Sequence, residues 1–332
     1  MNTRTTILGG TVALAIATGL TACGGGGGGS VAGIGGTGIT TTGTITGFGS
    51  IIVNGVHYDI DSASISKDGR SATNTAANTD LRVGMVVTVQ GTQNDDGTGT
   101  ATTVIYRDEL QGPVSNIDVG ASSFEIMGVS VQVDSSTRFS QCSDDGTAPV
   151  TLDLSTHLSS NDLVEVSGYR ITSGIQATYV ELKDSSCTED DKSEVEVKGT
   201  LQTDGSFTTV GGTALTLDTT SAGCVDPVAT LGLSGFVELK GSYDPSNGFC
   251  TTQGESEDEH PGMDSSSDES YEMEGLITDH DASAQTFRIN GVLVYYASAS
   301  LQVTPGDGTR VEVKGSINSD GSISASSIEA DD

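Results

Sequence analysis

Short runs of alternating hydrophobic and polar residues recur along most of the chain after residue 40, separated by turn-forming residues. Alternation places successive side chains on opposite faces of a strand, which predicts β-strands with one buried face and one face in water. The stretches VVTVQG, FVELKG and RVEVKG show this pattern. Asp-Gly and Asn-Gly pairs between such runs are typical of tight hairpins. The pattern therefore predicts an all-β protein made of many short strands.

The alternating runs form four copies of one longer pattern. In each copy, a strand leads through a polar turn to a second strand, and a turn of the type VNGV, IMGV, VGGT or INGV leads to a third. A further alternating run follows, and a final hairpin closes most copies. The copies open at Gly43, Gly112, Gly199 and Gly275, and their later alternating runs end on Gly91, Gly168, Gly241 and Gly315.

Five or six antiparallel strands in one copy would leave two exposed sheet edges, and closure into a small barrel removes them. We therefore predict four small antiparallel β-barrels in a row, after a signal peptide and a glycine-rich tether. The predicted segments are a signal peptide at 1–22, a tether at 23–40, repeats at 41–109, 110–184, 193–253 and 272–330, and an acidic linker at 254–271.

The repeats carry a recognisable motif, which is clearest near the C-terminus. The strand F-x-I-N-G-V spans Phe287–Val292, G-T-R-V-E-V-K-G spans Gly308–Gly315, and a short hairpin follows. In these features the chain resembles a family of bacterial exported proteins known as domain of unknown function 5666. The resemblance is strongest in the first, second and fourth copies, because the third lacks the final A-x-x-I strand. It implies compact barrels related in shape to the oligonucleotide/oligosaccharide-binding (OB) fold, and it implies no activity.

The N-terminus has the features of a secretory signal peptide: Arg4, a short apolar stretch and small residues. The segment ends in Leu-Thr-Ala-Cys, which resembles the lipobox of bacterial lipoproteins, and this resemblance implies acylation at Cys23. Several acyl chains on one residue would hold the protein at a membrane. Gly24 in place of aspartate favours the outer membrane of a Gram-negative cell envelope. The alternative is cleavage elsewhere, with Cys23 discarded.

The chain has 45 Asp and Glu residues against 14 Lys and Arg, a formal net charge of −31. Nucleic-acid binding is not expected, because phosphate contacts need clustered basic side chains. Anionic lipid head groups would also repel the chain, so membrane attachment would depend on the lipid anchor. A protein or a cation remains a possible ligand, and no cofactor is indicated.

Four cysteines follow Cys23, and an even number in an exported protein suggests disulfides. The repeat boundaries place Cys142 and Cys187 in the second copy and Cys224 and Cys250 in the third. Pairing within each copy is the simplest arrangement. Free thiols or pairing between copies are the alternatives.

The sequence offers no catalytic motif. His57 lies in a strand, opposite apolar neighbours, where a histidine exposed to water is the simplest interpretation. The histidines lack the spacing of a zinc hydrolase, and no G-x-S-x-G turn is present. The acidic stretch 255–275 should repel itself and remain solvated. An alternative is that it captures cations or a basic partner, with His260 and His280 as possible metal contributors.

These observations predict a lipid-anchored, extracytoplasmic binding or interaction protein rather than an enzyme. No catalytic, cofactor or metal residues are assigned. The rival interpretation is a structural spacer or envelope-coating lipoprotein without a dedicated ligand. In the first interpretation the tandem repeats bind a ligand or partner, and in the second they only extend the protein away from the membrane.

Overall fold

The computed structural model describes residues 38–72, 74–75, 78–141, 148–183, 195–260, 263 and 270–331. The predicted signal peptide, most of the tether, Cys23 and the pair Cys142 and Cys187 lie outside the described residues. As expected, the regular secondary structure of the described chain is β-strand apart from a single helical turn. Within the described part, no helix is long and apolar enough to cross a membrane.

The strands of the first repeat form a closed ring. β1 pairs with β2, β2 with β3, β3 in parallel with β9, β9 with β8, and β8 again with β1. β4 adds to β9 and β5 adds to β4, while β6 and β7 pair with each other. The bounds are β1 Gly38–Gly47, β2 Ile51–Val53, β3 Val56–Asp59, β4 Ser64–Lys67, β5 Arg70–Ala72, β6 Asn74–Thr75, β7 Asn78–Thr79, β8 Val86–Gln93 and β9 Gly99–Tyr106.

The second repeat has the same cyclic order. β10 pairs with β11, β11 with β12, β12 in parallel with β16, β16 with β15, and β15 with β10. The one helical turn is capped by Asp153, whose side chain accepts a hydrogen bond from the Ser155 amide. The bounds are β10 Leu110–Asp118, β11 Ser123–Ile126, β12 Val129–Gln132, β13 Arg138–Gln141, β14 Val150–Thr151, α1 Leu154–His157, β15 Leu163–Ile171 and β16 Gly174–Leu182.

The third repeat departs from this order. β17 pairs with β18 and β20, β18 with β19, and β20 with β21. In the described structure a single bridge, Leu217 to Phe249, links the two ends of this arrangement. The expected count of four closed barrels is therefore not confirmed. The bounds are β17 Val195–Leu201, β18 Phe207–Thr209, β19 Ala214–Leu215, β20 Gly235–Asp244 and β21 Gly248–Ser256.

The fourth repeat returns to the cyclic order of the first. β22 pairs with β23, β23 with β24, β24 in parallel with β27, β27 with β26, and β26 with β22. Its short β25 pairs with β27. The bounds are β22 Ser270–Asp281, β23 Thr286–Ile289, β24 Val292–Tyr295, β25 Ser300–Leu301, β26 Arg310–Ile317 and β27 Ile323–Ala330.

The repeats are not independent barrels in a row, because their first strands pair with one another. β1 runs parallel to β22, with Ile39 opposite Ser270 and Thr42 opposite Met273. β10 runs antiparallel to β17. The first and fourth repeats consequently share a 13-stranded sheet, and the second and third share a 12-stranded sheet.

The glycines expected to end the alternating runs lie instead within continuous strands. At Gly91, Gly168, Gly241 and Gly315 the register with the following strand shifts by a β-bulge. A Cβ atom at any of these positions would collide with a carbonyl oxygen of the partner strand. A bulge bends and twists a strand, so these glycines allow one strand to curve around a small barrel.

Apolar side chains fill the barrel interiors. The first and fourth repeats each have their own buried cluster, and the second and third share a third one. The predicted disulfide between Cys224 and Cys250 is present, with the two Cα atoms 5.0 Å apart. The bridge links β21 to the loop before β20, in the repeat that lacks a complete ring of paired strands.

Candidate functional site

The polar faces of several alternating strands are buried, although the sequence pattern predicted that they would face water. Glu165 is 2 % exposed, and Lys198 and Glu238 are 4 % and 5 % exposed. All three lie on the strand faces that point away from the barrel cores. The outer faces of different repeats pack against each other, and their opposite charges meet at the centre of the repeat assembly.

The first group of buried charges joins the first and second repeats. The Lys183 ammonium lies 2.8 Å from a carboxylate oxygen of Glu181, and it also contacts Glu165. Lys67 of the first repeat lies 3.6 Å from Glu181, and the Tyr106 hydroxyl donates a 2.6 Å hydrogen bond to Glu165. Burial alone would raise the pKa of Glu165, but Lys183 and Lys67 outweigh it and lower the pKa to about 2.

The second group joins the third repeat to Asp108, which follows the last strand of the first repeat. Lys198 contacts the carboxylate of Asp108 and lies 3.3 Å from Glu238. Lys240 bridges Glu238 and Glu196, at 2.7 and 2.8 Å. Burial, together with the charge of Asp108, raises the pKa of Glu196 to about 7.

The third group joins the fourth repeat to the first and second. Arg310 contacts Glu274 within its own repeat and also Asp331. Glu274 accepts a 3.0 Å hydrogen bond from the backbone amide of Thr44, whose hydroxyl lies 2.6 Å from that of Tyr169. Burial, reinforced by the neighbouring Glu274, raises the pKa of Asp331 to about 7. All four repeats are therefore linked by buried polar contacts.

A cleft of about 90 Å³ opens where the repeats meet. The first repeat contributes Thr42, Val86 and Thr88, and the other repeats and the start of the acidic linker complete the lining. The rest of the lining includes Ile105, Arg107, Asp108, Glu109, Arg170, Lys198, Phe236, Asp258, Glu259, His260, Tyr271 and Met273. The cleft is thus shared by every repeat rather than enclosed by one barrel.

The basic side chains of the cleft are engaged with acidic partners. Arg170 lies 3.3 Å from Glu109 and 2.8 Å from Glu259, and it stacks over the ring of Phe236. Arg107 contacts Glu257 and donates a 3.0 Å hydrogen bond to the carbonyl of Asp258. These contacts hold the start of the acidic linker against the first and second repeats.

One acidic group of the cleft is only half satisfied. Asp108 is 3 % exposed, and its Oδ1 atom accepts from Lys198. Its Oδ2 atom is buried and has no hydrogen-bond partner among the described residues. Burial raises the pKa of this carboxyl above its usual range, in spite of the attraction of Lys198. A buried carboxylate oxygen without a donor is energetically costly.

The expectation that the acidic stretch 255–275 is solvated holds in part at its start, where Glu255, Asp258 and Glu259 are exposed, and is wrong at its end. Glu257 and Glu259 pair with Arg107 and Arg170, and Met263 packs against the core of the fourth repeat. Glu272 and Glu274 lie in β22 and are buried. The middle of the stretch, residues 261–262 and 264–269, lies outside the described residues.

The histidines have different surroundings. His57 is exposed, as expected, and its ring contacts the Ser50 hydroxyl. His280 lies 2.7 Å from the hydroxyl of Tyr296, whereas His260 lines the cleft. Burial lowers the pKa of His260 to about 4. No group of three or more His, Cys, Asp or Glu residues suited to a metal ion occurs among the described residues.

Sequence reasoning missed the buried charges and the residues that line the cleft. Glu165, Lys198 and Glu238 lie in similar segments, V-E-V-x-G or V-E-L-K-G, that recur in the repeats. This recurrence indicated that the charged residues have a common structural role. Asp108 and Arg107 lie in the short connection between two repeats, and no local pattern distinguishes them from ordinary loop residues.

We expect Glu165→Gln to destabilise the protein by about 3–5 kcal/mol, because removing one partner leaves the buried Lys183 and Lys67 incompletely compensated. Urea unfolding followed by circular dichroism measures the change. The matched control is Glu329→Gln, since Glu329 lies 3.7 Å from Lys314 in a pair whose side chains are 30 % and 37 % exposed. The control should cost at most about 1 kcal/mol. Equal and small losses of unfolding free energy in both variants would show that the buried cluster does not hold the repeats together.

Comparison with protein families supports the resemblance seen in the repeats. The model of a domain of unknown function, DUF5666, matches residues 39–104, 111–181 and 274–329, within the first, second and fourth repeats. Comparison with curated proteins gives no match. The three matched regions together cover more than half of the chain, which therefore belongs to the DUF5666 family.

Proposed function

We propose that the protein binds a small ligand at the bacterial cell surface or in the envelope, in the cleft shared by its four repeats. The observation that carries this proposal is the cleft itself, which contains a buried carboxylate oxygen without a partner among the described residues. Concave sites with a few convergent polar groups and apolar walls are the usual form of ligand sites.

The arrangement of the repeats supports recognition over the spacer interpretation. A spacer needs to span a long distance, and separate modules on flexible connections do this. Here the first and last repeats share a sheet, and buried charged and polar groups link all four. Burying so many charged side chains is expensive, and it is an unnecessary cost for a protein whose purpose is length.

Binding without catalysis fits the cleft better than an enzymatic role. Glu109 and Glu259 are both held by Arg170, and only one oxygen of Asp108 is left without a partner in the described structure. A hydrolase of the two-carboxylate type needs an acid and a base, or a nucleophile, that are both available to the substrate. Asp108 is buried and paired with Lys198, so the exposed Asp258 is the one carboxylate of the cleft's described lining that is available in this way.

The third repeat is, in this proposal, a diverged copy of the same OB-like barrel. Its strands β17, β18, β20 and β21 pair as their counterparts do in the other repeats. The Leu217–Phe249 bridge lies where the other barrels have a parallel strand pair. The Cys224–Cys250 bridge would compensate for the shorter closing ladder.

Membrane attachment through Cys23 is part of the proposal and rests on the sequence alone. We expect the full-length protein to incorporate a clickable palmitate analogue in a Gram-negative host and to fractionate with the outer membrane. A Cys23→Ser variant should show neither property. Equal labelling of the variant, or its normal retention in the membrane fraction, would refute the lipid anchor and leave the cleft proposal intact.

The cleft proposal predicts that a bulky side chain at Val86 abolishes ligand binding. Thermal shift across small cationic, neutral and anionic compounds should give hits with the wild type that disappear in Val86→Phe. The control is Val119→Phe, which makes the same substitution at a 57 % exposed position outside the cleft. This control should keep every hit.

Three outcomes would contradict the cleft proposal. Hits that persist in Val86→Phe would place the site elsewhere, and hits lost equally in both variants would show that the loss is not specific to the cleft. A screen in which no compound of any class binds the wild type would favour the spacer interpretation.

A further inference from the structure

We propose that the ligand of the cleft carries a primary ammonium group, which donates a hydrogen bond to the Oδ2 atom of Asp108. This inference rests on the proposed function and specifies the chemical class of ligand. It follows from which donors and acceptors of the cleft are already used.

Lys198 cannot satisfy both oxygens of Asp108. Its ammonium group has three donor hydrogens. It already contacts the Oδ1 atom of Asp108, the carbonyl oxygen of Asp108 at 3.0 Å and a carboxylate oxygen of Glu238 at 3.3 Å. These three acceptors account for its donors, so the Oδ2 atom of Asp108 is left without one.

The two arginines of the cleft are directed elsewhere. Arg170 lies between Glu109 and Glu259, and Arg107 is held by Glu257 and the Asp258 carbonyl. Among the described residues, no basic side chain therefore reaches the free oxygen of Asp108. What is missing is a donor, and a positively charged donor forms the stronger hydrogen bond to a carboxylate.

The remainder of the cleft suits a short apolar body behind the charged group. Met273, Phe236 and Ile105 contribute apolar surface, while Thr42 and Thr88 provide hydroxyl groups. A volume of about 90 Å³ is several times the roughly 10–15 Å³ that one water molecule needs. This is room for a short alkylammonium ion or for the end of a longer amine.

A divalent metal ion fits the same site poorly. Calcium takes six to eight oxygen ligands and magnesium takes six in strict geometry. The cleft presents one buried carboxylate oxygen without a partner, and no metal-binding group of three or more acidic, histidine or cysteine residues is found in the described part of the chain. An ammonium ion, by contrast, needs one carboxylate and a few neutral acceptors.

Calorimetry with propylammonium chloride tests the inference, in about 0.15 M salt so that the attraction of the acidic surface is screened. We expect saturable binding of propylammonium to the wild type, and none of propan-1-ol or propionate. Asp108→Asn should weaken propylammonium binding about tenfold or more, because a charge-assisted hydrogen bond is lost. Val86→Phe, which leaves every charge in place, should abolish it.

The matched control is Asp95→Asn, which makes the same chemical change in the exposed turn between β8 and β9. It should bind propylammonium within about twofold of the wild type. Circular dichroism melts establish that each variant is folded. If Asp108→Asn does not fold, Val86→Phe and the neutral and anionic probes still decide the question.

The outcomes separate the two proposals. Equal binding to Asp108→Asn and Asp95→Asn, or equal binding of propan-1-ol, would overturn the ammonium inference. If propylammonium does not bind but another class of compound does, and Val86→Phe blocks it, the ammonium inference is wrong and the cleft remains a ligand site. If no class binds the wild type, both proposals are wrong.

Discussion

The structure depends on the burial of charged strand faces against one another. Removing a carboxylate or an ammonium group from water is expensive, and the cost is recovered only where an opposite charge and further hydrogen bonds are close by. Glu165 has two lysines and a tyrosine as partners, and Lys198 has Asp108 and Glu238. A shift of one repeat by a single residue would separate these partners. The charges therefore fix how the repeats meet, while the apolar cores stabilise each repeat.

The same constraint explains the position of the cleft. Strand pairing already joins the first repeat to the fourth and the second to the third, and the buried charges join these two pairs. Four curved surfaces cannot fill all the space where they converge, and the cleft is the remaining space. The acidic linker begins beside it and is held there by Arg107 and Arg170. The cleft is consequently a property of the complete chain.

Much of the fold could be predicted from the sequence. The strands and the Gly-centred turns follow from local patterns that depend on neighbouring residues only. The repeats follow from recurrence of those patterns, and the repeat boundaries favoured the Cys224–Cys250 bridge over its alternatives. Alternation also identified the face of each strand that is buried in its own barrel. It could not show whether the opposite face meets water or another polar strand. Charged residues such as Glu196 and Lys198 are compatible with water and also with a buried face that carries opposite charges. For the same reason the cleft escaped prediction, since Asp108 and Arg170 become neighbours only after the repeats pack.

The measurement that tests this account most directly is the radius of gyration by small-angle X-ray scattering of the chain from residue 38 onward. A single compact unit of this length should have a radius of about 19 Å. Each separate barrel would have a radius of gyration of about 11 Å, and four of them touching in a row would give a value above about 30 Å. We predict the compact value, since the strand faces of different repeats are buried together. The larger value would contradict the central claim, because the charged faces would then lie in water and no shared cleft would exist.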